Sequence, residues 1–378
     1  MRLWDTAKLI FLTASACLLQ KEMYAQQGPW NNPLRFAWSD DGKNYSDPKI
    51  FQDSAGVPTV VSWKGNMLIS AFQWFRQPNP SPSWDRVAVK ISLDGGNLWS
   101  EPVPVQFEGL PAGFQRPFDP TLVVLNEDSL RMYFSASAFL PKRGLDSTVD
   151  MHSAVSTDGL HFTFEPGPRG DLKVKPLIDP AVVRFGKQWH YTAPAGAPQD
   201  GAHHFVSADG LKFDSIGRIG SDQAHNWTGN FVAVDSSELR FYGSGQTIWY
   251  SASPDAVNWG PYQHTALRGG DPAVVRMEDG RYLMIYVGQA YSTHLDPTGE
   301  FKVKIWLSQV QAEDWISVCS TLDLTGTEFK IADFSGRIIH RGILEKMPSN
   351  VHVGHLASGW YQIVIASPYG SVLRFFKH

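Results

Sequence analysis

A strand pair written several times over limits what this chain can become. Asp271-Pro272-Ala273-Val274-Val275-Arg276, a Glu-Asp-Gly turn and Arg281-Tyr282-Leu283-Met284-Ile285-Tyr286-Val287 read as two short strands around a tight turn. The second strand is apolar on both faces, as a strand covered from both sides must be. The same pattern runs from Asp119-Pro120-Thr121-Leu122-Val123-Val124 to Leu130-Arg131-Met132-Tyr133-Phe134, and from Asp179-Pro180-Ala181-Val182-Val183 to Gln188-Trp189-His190-Tyr191. Weaker copies start at Val57-Pro58-Thr59-Val60-Val61 and Gly229-Asn230-Phe231-Val232-Ala233-Val234.

A second motif alternates with the first. It appears as Ser39-Asp40-Asp41-Gly42, Ser92-Leu93-Asp94-Gly95-Gly96, Ser156-Thr157-Asp158-Gly159, Ser207-Ala208-Asp209-Gly210 and, with alanine for glycine, Ser253-Pro254-Asp255-Ala256. Within such a turn the Asp accepts backbone N–H bonds and the Gly takes positive φ. An aromatic or apolar residue shortly afterwards packs the hairpin onto its neighbour. Any one copy fits a plain hairpin; five copies alternating with five strand pairs do not. The turn aspartates fall at 41, 94, 158, 209 and 255, a spacing of 46 to 64 residues, the size of a four-stranded propeller blade. The expected fold is all-β: a five-bladed β-propeller, with six blades as the alternative, over residues 26–318. The chain enters mid-blade, so pairing its two ends would close the ring and leave no free edge. Phe301 to Gln309 reads as one outer strand more than five blades need.

Composition agrees. Thirteen per cent aromatic residues with 33 Gly and 25 Pro suits short strands and many turns. A net charge of −4 with no basic stripe argues against nucleic acid as a partner. Residues 1–25 read as a secretory signal, with Arg2 and Lys8 before an apolar run from Leu9 to Leu19 and Ala25 at the cleavage position. A lipoprotein signal ending at Cys17 is the alternative. Cys319 is the one other cysteine, so a chain that has lost Cys17 forms no internal disulfide. Contact with a membrane is expected only through this signal and through surface anchoring.

Loop lengths select a functional face. The turns inside the strand pairs and the Asp-Gly turns are short, whereas Gln73 to Arg86, Ala136 to Asp150, Ala193 to His203, Pro104 to Phe118 and Ile219 to Thr228 are long. Strand polarity puts the long loops on the face where each inner strand begins, and binding residues concentrate on long loops over a rigid scaffold. Asp119, Asp179 and Asp271 should therefore cluster around the axis on that face. Phe72, Trp74, Trp84, Trp227 and Tyr291 supply ring faces for a sugar, and Arg116, His225, Asn226 and Arg268 supply polar contacts. Asp-Pro also serves as plain loop-to-strand punctuation. His203-His204 is adjacent rather than spaced for one metal, so neither a metal nor any other cofactor is expected.

The Asp-Pro-apolar-Val-Val strand, its turn and Gly-Arg-Tyr-Leu-Met-Ile-Tyr resemble the arabinanase–invertase superfamily of five-bladed propeller glycosidases and their sialidase-like, Asp-box relatives. The resemblance covers roughly residues 30–315. It implies a glycoside hydrolase acting on a glycan, with inner-strand aspartates as base or nucleophile and as tuning group, and a glutamate from another blade as the acid. Asp119, Asp179 and Asp271 match the inner-strand positions. No inner strand offers the glutamate, since Gly229-Asn230 stands in the fourth; Glu300 and Glu108 lie in loops and Glu165 at a strand end. Glu300 is the catalytic candidate among these. Without an acid the same scaffold would be a carbohydrate- or surface-binding propeller. Sialidase chemistry is not expected, because Val57-Pro58 stands where that group carries Arg-Ile-Pro.

From residue 319 the style changes to short alternating strands with Gly turns, as in a small β-sandwich. The Asp333-Phe334-Ser335-Gly336-Arg337 turn, Leu356-Ala357-Ser358-Gly359-Trp360-Tyr361 and the basic last strand Leu373-Arg374-Phe375-Phe376-Lys377-His378 resemble the C-terminal sorting domain of the type IX secretion system. That resemblance implies a Bacteroidota-type cell, the secretion machinery as a partner, and a secreted or outer-surface location.

Overall fold

The computed structural model describes residues 32–46, 48–74, 86–138, 147–288, 305–320, 323–365 and 371–378. Nearly every regular element is a strand, and no described helix is long and apolar enough to cross a membrane. The fold is an all-β propeller followed by two further sheets.

Sheet I is built, from the axis outward, of Ala55–Trp63, Met67–Trp74, Arg86–Ser92 and Val103–Pro104. Sheet II is Phe118–Asn126, Ser129–Ser137, Val149–Ser156 and His161–Gly170, with Gln106–Glu108 added in parallel at its outer edge. Sheet III is Ala181–Phe185, Gln188–Pro194, Ala202–Ser207 and Asp214–Ile219, and sheet IV is Asn226–Ala233, Leu239–Ser244, Trp249–Ser253 and Gln263–His264. Sheet V takes its inner pair, Gly270–Arg276 and Tyr282–Val287, from late in the chain and its outer pair, Leu34–Ser39 and Lys49–Gln52, from the start. Leu34 pairs with Val287 and Ser39 with Tyr282, so the two ends close the ring as the mid-blade start requires. The inner strands neighbour one another in the cyclic order I, II, III, IV, V and back to I.

The second strand of sheet I is buried at every position, as is Tyr282–Val287. A strand sandwiched between two blades has no solvent face, which explains why these runs show no polar alternation. The Asp-Gly turns repeat one hydrogen-bond pattern. Asp41 Oδ1 accepts from the N–H of Lys43 (2.7 Å) and Asn44 (2.8 Å), Asp158 Oδ1 from Leu160 (2.7 Å) and His161 (2.8 Å), and Asp209 Oδ1 from Leu211 (2.8 Å) and Lys212 (3.0 Å). Two backbone donors hold these carboxylates ionised, so the Asp41 and Asp209 carboxyls titrate well below the ordinary range.

The turns also join sheets. Tyr133 of sheet II donates to the carbonyl of Gly210 in sheet III (2.8 Å), and Tyr242 of sheet IV to that of Gly42 in sheet V (2.7 Å). A Cβ on Gly42 would lie 2.7 Å from Arg240 Nη1 and 2.8 Å from the Tyr242 hydroxyl, so close approach as well as its φ of 71° demands glycine there. Glu165 takes a bidentate pair from Arg131 (2.9 Å each) and a bond from Ser153 Oγ (2.6 Å).

Ile305–Leu307 does not join the ring. The place beside Tyr282–Val287 is already taken by Leu34–Ser39, and Ile305–Leu307 pairs with Trp315–Ser320, which pairs in turn with Ser349–His352. Residues 301–304 of that expected outer strand lie outside the described residues. A second sheet orders Gln311–Ala312, Val372–Lys377, Gly359–Ile365, Glu328–Asp333 and Ile338–Ile343. The two sheets enclose one core that includes Ile316, Val318, Phe329, Ile331, Ile363 and Phe375, a sandwich arrangement.

Candidate functional site at the axial mouth

The inner strands of sheets I, II and V each carry a bulge just after their start, between Gly56 and Thr59, Phe118 and Thr121, and Gly270 and Ala273. At the residue before each proline, and at the matching position of sheet III, the backbone is left-handed: φ is 46° at Val57, 51° at Asp119, 49° at Asp179 and 46° at Asp271. A pre-proline residue ordinarily prefers extended backbone, and a non-glycine residue held in the left-handed region costs about 1–2 kcal/mol. The strain recurs in four sheets, and in three of them the strained residue is an aspartate. Bulges of this kind re-aim side chains.

Asp119, Asp179 and Asp271 do come together at one end of the axis. Asp119 Oδ2 accepts from the N–H of Asp179 (3.2 Å), and the N–H of Asp271 donates to Ser244 Oγ of sheet IV (2.8 Å). Thr121 Oγ1 donates to the Pro180 carbonyl, and Leu122 N–H donates to Thr59 Oγ1 (3.1 Å), which stitches sheets I to III below the carboxylates. Asp179 and Asp271 line a cavity of about 10 Å³ with Val57, Pro120, Thr228 and Asn230. Farther along the axis the inner strands line a larger space of about 290 Å³, with Val61, Val123, Val183, Phe231 and Val275 on its walls.

The electrostatics follow from crowding like charges at a desolvated place. Burial, then the charges of Asp119 and Asp271, push the Asp179 carboxyl far up. Burial raises Asp271 to about 6. Two of the three carboxyls thus hold their protons more tightly than an ordinary aspartate, Asp179 under the added charge of its neighbours, a feature suited to proton delivery.

The other expected site residues divide. Trp227 is 1% exposed and stacks on Phe241, with Trp249 and Trp259 at its edges; it belongs to the core, not to a sugar platform. Trp227 lies in the irregular stretch between Asn226 and Gly229. Phe72 is fully buried and Trp74 is 9% exposed. His225 is buried at the rim of sheet IV, bonded to Asp222 (2.6 Å) and His264 (3.3 Å) and stacked on Tyr262. Asn226 is half-buried and accepts from Thr228 Oγ1. Arg268 is exposed, and so is Arg116, which lines a cleft of about 410 Å³ with Arg86, Phe107, Leu110 and Phe114. Glu300, Trp84 and Tyr291 lie outside the described residues. Glu165 is committed to Arg131, and Glu108 lies on the outermost strand of sheet II. His203 and His204 are both buried; His204 bonds to His190 (3.2 Å), and no metal-binding cluster occurs among the described residues.

Asp150 escaped the sequence reading. It is the second residue of the third strand of sheet II, at the end where the inner strands start, and its Oδ1 is buried with no hydrogen-bond partner among the described residues. Burial, then the neighbouring Asp171, raise it to about 7. Across the interface the buried Tyr191 hydroxyl, pushed up by burial, feels both Asp150 and Asp179. The one sequence signal was position: an acidic residue immediately after a long loop.

No family model matches the chain, and no curated protein matches it. Among solved structures it is similar to an α-L-arabinofuranosidase from Clostridium thermocellum, at 13% identity over 79% of this chain and 95% of that one, with a TM-score of 0.46. A GH43_1 enzyme from Xanthomonas citri is 13% identical over 84% and 92% of the two chains, with a TM-score of 0.45. A protein of unknown function from Dyadobacter fermentans is 16% identical over 70% and 90%, with a TM-score of 0.44. The propeller fold of this chain rests on its own sheets.

Proposed function

We propose that this chain is a secreted or cell-surface propeller glycoside hydrolase whose carboxyl trio at the axial mouth cleaves a glycan. The observation that carries this reading is the joining of Asp119, Asp179 and Asp271 at one end of the axis, with the proton affinities of Asp179 and Asp271 raised. In this reading Asp179, which holds its proton more tightly than an ordinary carboxyl, delivers it to the leaving oxygen. Asp119, held in place by the Asp179 amide, is the base or nucleophile. Asp271 sets how tightly Asp179 holds its proton. Glycosidic cleavage by two carboxyl groups requires such an acid–base division.

A second reading is a carbohydrate-binding propeller without turnover. It is favoured by the use of Asp119 as a backbone acceptor and by the absorption of Trp227 and Phe72 into the core. One experiment separates the two. Purified protein is screened for reducing-sugar release and for glycan-array binding, beside Asp119→Asn and Asp179→Asn variants. Release by the wild type that both variants abolish supports hydrolysis. Binding without release supports the second reading, and neither would sink both.

Residues 319–378 are proposed to act as a type IX sorting module behind a signal peptide at 1–25. The basis is the Asp333-to-Arg337 turn, the Gly359-Trp360-Tyr361 segment and the small sandwich they share with Ile305–Leu307, Gln311–Ala312 and Trp315–Ser320, which starts before residue 319. Fractionating a Bacteroidota host with and without a working type IX system tests it. Loss of the protein from the surface and medium only in the deficient host is the expected result.

A further inference from the structure

We propose that the C-terminal sheets are a fixed part of the molecule, clamped onto the Asp-Gly-turn side of sheets I and II with Arg374 and Trp360 as anchors. This stands on contacts independent of the carboxyl trio, and it holds whether or not the chain is a glycosidase or the module is a sorting signal.

The contacts form one continuous patch. Trp360 and Phe376 are 7% and 5% exposed, and they share a core with Trp63, Met67, Ile69 and Phe162 of sheets I and II. Trp360 Nε1–H donates to the carbonyl of Asp158, in the turn of sheet II (3.2 Å). Arg374 is 1% exposed, and its Nη2 reaches Oδ2 of Asp94 in the turn of sheet I (3.4 Å). His161 packs its ring against Phe376 and His378, and Gln106 donates to Gln311 (3.3 Å).

Two physical points make this more than a loose touch. First, two large aromatic side chains of one sheet system complete the core of another, and separating them would expose both surfaces to water. Secondly, Arg374 Nε and Nη1 have no partner among the described residues, so this guanidinium is under-paired and leans on Asp94. A buried cation with a single carboxylate nearby is costly to form, and it penalises any docking that does not bring Asp94 opposite. The turn aspartate keeps Oδ1 for its own turn, where Ser92 Oγ and the Leu98 N–H bind it, and offers Oδ2 to Arg374. One turn motif thus serves both as hairpin closure and as docking handle. The clamp sits on the side opposite the carboxyl trio. It also covers Arg374 and Phe376 of the last strand, whereas Phe375 faces the sandwich core, so recognition of the Arg374 and Phe376 side by another protein requires undocking.

The test uses the full chain with a specific protease site inserted between Gly288 and Ile305, cleaved after folding and without denaturant. The two pieces are then followed by size-exclusion chromatography through serial dilution. The wild-type pieces should co-elute at the parent volume, Arg374→Glu should release the C-terminal piece, and Trp360→Phe should weaken its retention roughly tenfold. Separation of the wild-type pieces would overturn the proposal, as would a Trp360→Phe piece held as tightly as wild type. Should Arg374→Glu fail to fold, the Trp360→Phe comparison decides.

Discussion

The Asp179 amide donates to the Asp119 carboxylate at 3.2 Å, so the side chain that ends one strained strand start fixes the next. An amide oxygen accepts the same bond. Asp119→Asn should therefore leave stability within about 1 kcal/mol of wild type while removing the charge. Glycan turnover should fall by about 10²–10⁴-fold, the usual contribution of a proton-transferring group. Urea unfolding and reducing-sugar release on one preparation check both halves; equal loss in both would reduce Asp119 to a structural group.

Asp271 supplies a pH test. Its folded value is about 6 against an ordinary 3.8, so between those values the folded chain binds more protons than the unfolded one. Stability from this group is full below about pH 4 and is lost as pH rises through 6. Thermal unfolding of the wild type should show that decline, and Asp271→Asn should flatten it. An unchanged slope in the variant would contradict the assigned burial of the carboxylate.

Ala256 occupies the glycine place in the turn of sheet IV, with φ at 62°. Left-handed backbone strains alanine and not glycine. Ala256→Gly should raise stability by about 1 kcal/mol, read as a higher urea midpoint at unchanged slope. A lower midpoint would mean that the turn tolerates the strain for another reason.

Glu165 was one of the carboxylates on offer for the missing acid, and its bidentate bond to Arg131 argues against that role. Glu165→Gln should cost about 2 kcal/mol, because a charge-assisted pair between a buried arginine and a half-buried glutamate is lost. It should leave glycan turnover untouched. A large activity loss at unchanged stability would return Glu165 to the candidates.

Tyr133 and Tyr242 make the same stitch across different interfaces, II to III and IV to V. Each Tyr→Phe change should cost about 1 kcal/mol, and the double variant should cost their sum within about 0.5 kcal/mol. Marked non-additivity in denaturant melts would show that the ring responds as one body.

The repeat was legible because turn chemistry is local: Asp41, Asp158 and Asp209 each close their hairpins with donors two and three residues on. The gathering of Asp119, Asp179 and Asp271 was legible because identical strand starts in a ring must share one end. Side-chain direction was not. Trp227, read as a loop residue, lies within the strand Asn226–Ala233 and stacks on Phe241 in the core. Ile305–Leu307 was misplaced because an apolar run does not say which of two open edges it will meet. The reach of Arg374 to Asp94 across 280 residues left no local mark at all.

Sheet V has a temporal consequence. Leu34–Ser39 emerges early from the ribosome, yet its inner neighbour ends at Val287. Until that later segment is made, this strand has an unsatisfied edge and an apolar flank. Such a nascent chain is open to mispairing with itself or with another copy, and completion of the circle is a late, non-local event. A chaperone that shields this strand during synthesis would suit this order of assembly better than piecemeal folding in chain order.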